Sequence, residues 1–425
     1  MDIDWTALMA PLIVPLVKIL VLIFALLTAA AYLVLLERWM AAWIQDRRGP
    51  NRVGIPLTKL HMFGLGQPLA DGLKFIFKEE YTPSHVDKAL FILAPISILA
   101  AAIAVFAVVP FGYVLPLDLP GMDGQPIELI VAPGLDVGMI YVFALSSIAV
   151  YGVILGGWAS NNKYGFLGGL RSSAQLIAYE IPLALGILGV ILATGSLRLD
   201  RIILEQANSG VWNVLVQPLG FSVFLVAAFA EAARLPFDLP ECEQELIGGY
   251  HTEYSGMKLL LFLIAEFLHM VVASFLIVIL FLGGWHFWGM TVPAEAAVTW
   301  PEALLRVAVL LVKVLLVITF FMVVRWSWPR FRFDQLMSLA WKVMLPLGLV
   351  NLVAVAAVYE YSAALGAPGE GLWRGVAIGW GVALVAWIAA AVLAPLHTDN
   401  RPRLEAMNPP QFEPEDGLRG QPQAR

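Results

Sequence analysis

One cysteine, Cys242, is all the thiol chemistry available in 425 residues. A lone thiol closes no internal disulfide and cannot hold an iron-sulfur cluster, which needs several cysteine ligands. Histidine is equally sparse. Of six, only His269 falls at clear depth in an apolar stretch, with His286 at the end of one, so the two facing ligands of a b-type haem are missing. No dinucleotide-type glycine fingerprint occurs either. The chain is therefore expected to handle no electrons by itself and to bind no metal or flavin. Charge is scarce too, at 14% Asp, Glu, Lys and Arg, against roughly 25% in an ordinary soluble domain. After Met1-Asp-Ile-Asp4 there is no basic segment and no small-residue cleavage site, so the first apolar block is expected to stay as an anchor. No repeat of fixed period and no inverted hydropathy symmetry is visible, which argues against a secondary transporter.

Apolar residues make up 60% of the chain, and the mean hydropathy is +0.80. They fall in blocks of about 20, the length that crosses a bilayer as helix. In lipid a backbone must satisfy its own polar groups. The expected fold is accordingly all-α, a polytopic membrane bundle of about nine transmembrane helices. Spans are expected near residues 11–36, 89–110, 137–159, 174–194, 213–230, 258–283, 303–325, 337–358 and 372–395. Eight Lys and Arg occupy residues 37–88, whereas segments 111–136, 284–302 and 359–371 hold none and 195–213 holds Arg198 and Arg201 alone. The positive-inside rule then puts the N-terminus outside and the C-terminus in the cytoplasm, in the cell inner (plasma) membrane. Residues 1–397 form the transmembrane domain, with cytoplasmic loops at 37–88 and 231–257. The tail, 398–425, is too polar to bury a core and is expected to be disordered or partner-bound. Within the first loop, Pro68 followed by Leu69, Leu73, Ile76 and Phe77 predicts an amphipathic helix along the membrane surface.

Chemistry concentrates in residues 231–258. Six acids, Glu231, Asp238, Glu241, Glu243, Glu245 and Glu253, share this stretch with one arginine, Arg234, and with interspersed Leu, Pro, Phe, Ile and Tyr. Pro240 can open a short helix that Gly248-Gly249 closes, with Glu241 and Glu245 on one face. Carboxylates crowded into a poorly solvated boundary cannot all ionise, so several would exchange protons near neutral pH. The competing reading is a solvated acidic loop that docks a basic partner. Two more acids, Glu180 and Glu266, lie inside apolar spans, where a carboxyl costs about 2.5–3.5 kcal/mol and is a functional candidate by default. Each is read either as a relay member or as a protonated carboxyl bonded to a neighbouring helix. Lys18 is expected to snorkel, and Lys313, deeper, to pair with an intramembrane acid. Arg38, Arg47, Arg48, Arg52, Arg325, Arg330 and Arg332 cluster at span ends, where they meet lipid phosphates, hold a docked subunit or line a channel beside Asp71, Glu79 and Glu80.

Several segments resemble one family. These are Glu37-Arg38, Arg48-Gly-Pro-Asn-Arg-Val-Gly54, Gln67-Pro-Leu-Ala-Asp-Gly-Leu-Lys74, Phe77-Lys-Glu-Glu80, Gly157-Trp-Ala-Ser-Asn161, Leu170-Arg-Ser-Ser-Ala174, Tyr179-Glu180, Pro236-Phe-Asp-Leu-Pro-Glu241, Glu253-Tyr-Ser-Gly256 and Pro329-Arg-Phe-Arg-Phe-Asp-Gln-Leu336. Together, and in this order, they resemble the quinone-chamber subunits of the proton-pumping NADH:quinone oxidoreductases, the complex I subunit 1 family. The resemblance implies a tilted bundle of eight or nine helices with a quinone tunnel at its foot, quinone (ubiquinone or menaquinone) being the substrate. It implies a proton relay over Glu180, Glu231, Asp238, Glu241, Glu243, Glu245, Glu253 and Glu266. Arg38, Arg47, Asp71, Arg234 and Arg325 would lie along the quinone chamber. The implied partners are peripheral iron-sulfur subunits, antiporter-like membrane subunits and the bilayer, with no nucleic acid. The alternative is the homologous subunit of a complex I-like hydrogenase. The chain departs from the family pattern in reading Ala230-Glu-Ala-Ala-Arg234 where many relatives have Ala-Glu-Thr-Asn-Arg, and in carrying Ser147 where some carry glutamate.

Overall fold

The computed structural model describes residues 5–54, 63–116, 127–238, 249–288, 290–291, 299–365 and 370–393. The expected acids Glu241, Glu243 and Glu245 and the tail 398–425 lie outside these residues. Helices α1 (Trp5–Ile44), α2 (Gln67–Phe77), α3 (Lys88–Val105), α4 (Gly138–Ala159) and α5 (Lys163–Thr194) are followed by α6 (Leu199–Ser209), α7 (Asn213–Val216), α8 (Pro218–Glu231) and α9 (Gly256–Phe281). Then come α10 (Trp300–Ser327), α11 (Phe333–Ser338), a π-helical turn over Leu339–Met344, α12 (Leu345–Leu365) and α13 (Glu370–Leu393). A two-stranded antiparallel ribbon, β1 (Val114–Leu115) with β2 (Ile127–Glu128), lies between α3 and α4. Among the described residues eight helical stretches are long and apolar enough to cross a membrane.

Local sequence explains where these helices start and stop. Asp87 caps α3 by accepting from the backbone N–H groups of Ala89 and Leu90, and Asn162 caps α5 through Tyr164. α5 and α6 end on Gly195 and Gly210, both left-handed, the C-terminal role suited to a residue without a Cβ. Pro68 stands at the start of α2, as its sequence predicts. α9 is the central post. From Val271 to Phe281 every residue is buried, whereas Leu16, Val21 and Phe24 of α1 and Leu311, Val312, Leu315 and Leu316 of α10 are exposed apolar side chains. A helix apolar all round belongs inside, and exposed apolar faces at this density belong in lipid.

Small residues let the helices touch. A Cβ on Gly152 of α4 would lie 2.3 Å from Ile98 and 3.0 Å from the Ala94 carbonyl of α3, and one on Gly157 would lie 2.8 Å from the Gly165 carbonyl of α5. Without a hydrophobic drive between helices in lipid, such close backbone approach is a principal source of packing. The fifth expected span, 213–230, is not one continuous helix. It breaks at Gln217 because Pro218 has no N–H to offer and fixes its own φ, and only the 14-residue α8 continues inward. α13 covers the break. Trp380 Nε1 donates to the Leu215 carbonyl at 3.0 Å, Trp387 Nε1 to Ser222 Oγ at 3.2 Å, and Gln217 Nε2 to the Gly189 carbonyl at 3.1 Å.

The two lysines inside spans behave differently from one another. Lys18 reaches out of α1 to the Ile130 carbonyl at 3.1 Å, as snorkelling requires. Lys313 pairs with no acid among the described residues. Its ammonium donates instead to the carbonyls of Leu282, Gly284 and His286, at 2.6, 3.0 and 2.7 Å, and lies 4.4 Å from the centre of the Trp212 ring. The non-helical turn after α9 leaves carbonyls without backbone partners, and an ammonium with three donors answers three of them. Lys313→Met should therefore lower stability by about 1–3 kcal/mol, the cost of stranding buried acceptors, seen as a lower thermal unfolding midpoint in lipid nanodiscs. An unchanged midpoint contradicts this capping role.

Candidate functional site

Helices α1, α9 and α10 and the turn after α8 meet at one cluster of charged side chains. The last turns of α1 and α10 bring Glu37 and Arg325, α9 brings Glu266, and the turn after α8 brings Arg234 and Asp238. That turn is held by α5, since Gln175 Nε2 donates to the carbonyls of Ala230 and Phe237 at 3.0 and 2.8 Å. Phe237 is clamped between Tyr179 and Phe331. The sequence thus uses one buried amide and three rings to fix a polar loop against an apolar bundle.

Arg234 is 3% exposed. Its guanidinium lies 3.2 Å from Glu37 and 2.9 Å from Glu266, and its centre is 4.3 Å from the Phe267 ring centroid. Arg325 pairs with the other oxygen of Glu37. Glu37, 7% exposed, thereby bridges two arginines. Ionised groups are withdrawn from water only when partners replace their hydration, and a planar guanidinium with five donors is the side chain best suited to do so here. Asp238 pairs with Arg330 at 3.1 Å. Burial, reinforced by the negative charge of Glu266, pushes the Asp238 carboxyl up to about 6, while Arg325 and Arg330 oppose the rise.

Glu37, Arg234, Asp238, Glu266 and Arg325 line a cavity of about 1430 Å³. Its apolar wall includes Leu27, Val34 and Trp326, and its polar rim includes Arg38, Arg47 and Asp71. Arg38 and Asp71 form an ion pair at 2.7 Å between α1 and α2, and Arg47 donates to Gln45 at 2.7 Å. All five residues expected along a chamber, Arg38, Arg47, Asp71, Arg234 and Arg325, line this one space. A second, smaller cavity of about 60 Å³ lies behind it, lined by Glu180, Glu231, Glu266 and His269 with Ser146 and Ser172. Glu266 lines both. The Ser147 hydroxyl donates to Glu180, and Ser146 lines the small cavity with Glu231.

The structure brings Glu180, Glu231 and Glu266 together in the small cavity and places Asp238 with Glu266 in the lining of the large one. Glu253 stands apart, accepting from Asn162 Nδ2 at 2.7 Å and lining neither cavity. Sequence reasoning passed over Glu37 as a site residue. The signal was an acid in the last turns of an apolar helix, immediately before Arg38. His269, weighed in the sequence only as a haem ligand without a facing partner, lines the small cavity with Glu266, three residues earlier on α9. No cluster of three or more His, Cys, Asp or Glu suited to a metal occurs among the described residues. Chemically the arrangement offers an apolar cleft with a cationic rim, backed by carboxyls that communicate through Glu266.

The family model described as NADH dehydrogenase matches residues 17–356. An H subunit of NADH-quinone oxidoreductase from Geobacter metallireducens, the one numbered 1, is 48% identical over 338 residues, covering 80% of this chain and 94% of its own. The H subunit of the NADH-quinone oxidoreductase of Flavobacterium johnsoniae is 42% identical over 352 residues, 82% of this chain and 97% of its own. The H subunit numbered 2 of the NADH-quinone oxidoreductase of Geobacter sulfurreducens is 47% identical over 336 residues, 79% and 93% of the two chains.

Because the Asp238 carboxyl is held at about 6 against an ordinary 3.8, the folded protein keeps a proton there that the unfolded chain has released. Its contribution to stability therefore falls as pH rises through that window. Asp238→Asn should flatten that part of the stability curve. Arg330→Gln should move the infrared titration midpoint of Asp238 upward, since it removes a cation that favours the ionised form. A downward or absent shift contradicts the assigned pairing.

Proposed function

We propose, from the premise that this chain belongs to the NADH dehydrogenase family, that it works as a membrane subunit of NADH-quinone oxidoreductase, where it houses quinone and starts a proton path. The large cavity receives the quinone. The carboxyls behind it take up and release protons as that quinone is reduced, and the electrons come from partner subunits. One observation carries this reading: Glu266 lines both cavities and is paired at 2.9 Å with Arg234. A charge change in the large cavity is then felt by a carboxyl that belongs to the small one.

The composition of the cavity supports a quinone. A long apolar tail needs an apolar wall reaching the lipid-facing surface, which α1 supplies with Leu27, Ala30 and Val34. A head group that gains electrons and protons needs cations and proton donors at the far end, and Arg38, Arg47, Arg234 and Arg325 are there. The head group itself is gripped mainly by a peripheral iron-sulfur partner seated on the basic loops. Antiporter-like membrane subunits receive the protons. The membrane is the cell inner membrane, with residues 37–88 on the cytoplasmic face, where the basic residues concentrate.

Buried carboxyls coupled through one arginine do not ionise independently. When the reduced quinone develops negative charge, Arg234 is drawn toward it and its hold on Glu266 weakens, so Glu266 binds a proton more readily. Reoxidation and departure of the quinol reverse the change. Proton transfer then runs from Asp238 and Glu266 toward Glu231 and Glu180, and the acidic stretch with Glu241, Glu243, Glu245 and Glu253 is assigned to the same path on its sequence alone.

Glu266→Gln in the assembled, lipid-reconstituted complex should lower quinone-coupled proton translocation by about 100-fold or more, the range of a lost acid–base group, while NADH oxidation by an artificial acceptor continues. An azido-quinone should cross-link within residues 27–75 or at Trp326. Translocation at the wild-type rate in both Glu266→Gln and Glu180→Gln removes the relay, and cross-links confined to other subunits remove the chamber.

A further inference from the structure

The small cavity contains hydroxyls as well as carboxyls, and their arrangement is specific. Ser146 and Ser147 are consecutive on α4: Ser147 donates to Glu180 Oε1, and Ser146 lines the small cavity with Glu231. Both carboxyls line that cavity. Ser146 donates to the Phe143 carbonyl at 3.3 Å, which leaves its oxygen free to accept. A hydroxyl carries one hydrogen and can also accept. With Glu231 ionised, the Ser146 hydrogen points to the carboxylate. With Glu231 protonated, the carboxyl donates to Ser146 Oγ and the serine hydrogen turns to Phe143. Every group stays satisfied in both states, so no hydrogen bond is lost when the proton moves.

Ser172 supplies the independent observation. It is fully buried and lines the same cavity, and its hydroxyl has no partner among the described residues. A buried hydroxyl without a partner is costly. The cavity, about 60 Å³, has room for several water molecules, each of which needs at least about 10–15 Å³ and two or more polar partners. Ser172, Glu180 and Glu231 are such partners.

From this we infer that Ser146 and Ser147 are positioning residues for the Glu231 and Glu180 carboxyls, and that Ser172 binds the water that carries a proton between them. The transfer balances simply. The O–H bond of Glu231 breaks as its proton joins the water, and the same water gives a different hydrogen to ionised Glu180. One proton moves, the water is regenerated and no electrons are exchanged. The inference rests on the relay reading of these acids.

The test uses the assembled complex in liposomes with three variants, S146A/S147A, S146T/S147T and S172A, beside E180Q and E231Q as references. Two quantities are read: the rate of quinone-coupled proton translocation, and the infrared C=O stretch of the protonated carboxyls, assigned from the Gln references. The Ala pair should shift that stretch to higher frequency and slow translocation about tenfold, the factor a hydrogen bond to a charged group carries. The Thr pair, which keeps both hydroxyls, should restore both quantities. S172A should remove a weakly hydrogen-bonded water O–H band and slow translocation with the carboxyl stretch in place. An unchanged rate in the Ala pair or in S172A, or a Thr pair as slow as the Ala pair, overturns the inference. If the double variant fails to assemble, S147A alone serves with the same criteria. Should E180Q translocate normally, the relay reading itself fails. Should E180Q block translocation while the serine variants do not, only the positioning role falls.

Discussion

A guanidinium withdrawn from water organises this protein. Arg234 is placed by a turn that follows a helix broken at Gln217, and it is held between carboxylates from two different helices, Glu37 and Glu266, against the Phe267 ring. Removing either carboxylate would leave a buried charge undercompensated, at a cost of about 3–5 kcal/mol for an interior pair. Helices α1, α9 and α10 and the turn after α8 are thereby tied to one point. Glu266 of this cluster lines both the large cavity and the small one.

That arrangement explains why the acids have different surroundings although several come from one stretch of sequence. Asp238 faces Arg330 and the open cavity, and burial raises it only to about 6. Glu231, seven residues earlier, lines the small cavity with Ser146, Ser172 and His269. Glu253 accepts from Asn162 and lines neither cavity. Carboxyls set in different surroundings differ in proton affinity, as a stepwise path needs. On the proposed function, the electron carrier acts on the first of these environments alone and Arg234 transmits its effect.

Much of the architecture was legible in the chain because transmembrane spans are written in length and composition, which do not depend on tertiary detail. The amphipathic α2 was legible for a related reason, a proline at its start and a period near 3.6. What composition could not reveal was pairing across distant segments. Lys313 looked like half of an intramembrane ion pair. It instead answers three carbonyls of the turn that follows α9, a need created by the local backbone path and invisible in residue types. Glu37 looked like a span-end charge and became the bridge between Arg234 and Arg325, residues 197 and 288 positions away. The break at Gln217 was signalled by Pro218, but hydropathy averaged over a window conceals it. Residues of the acidic run that carried expectations, Glu241, Glu243 and Glu245, lie outside the described residues.

The account depends on Glu266 changing its protonation when the occupant of the large cavity changes its redox state. Redox-induced infrared difference spectroscopy on the assembled complex, oxidised minus reduced quinone, measures this directly. A protonated-carboxyl band that grows on quinone reduction and disappears in Glu266→Gln is the predicted result. A difference spectrum identical in wild type and Glu266→Gln would contradict it.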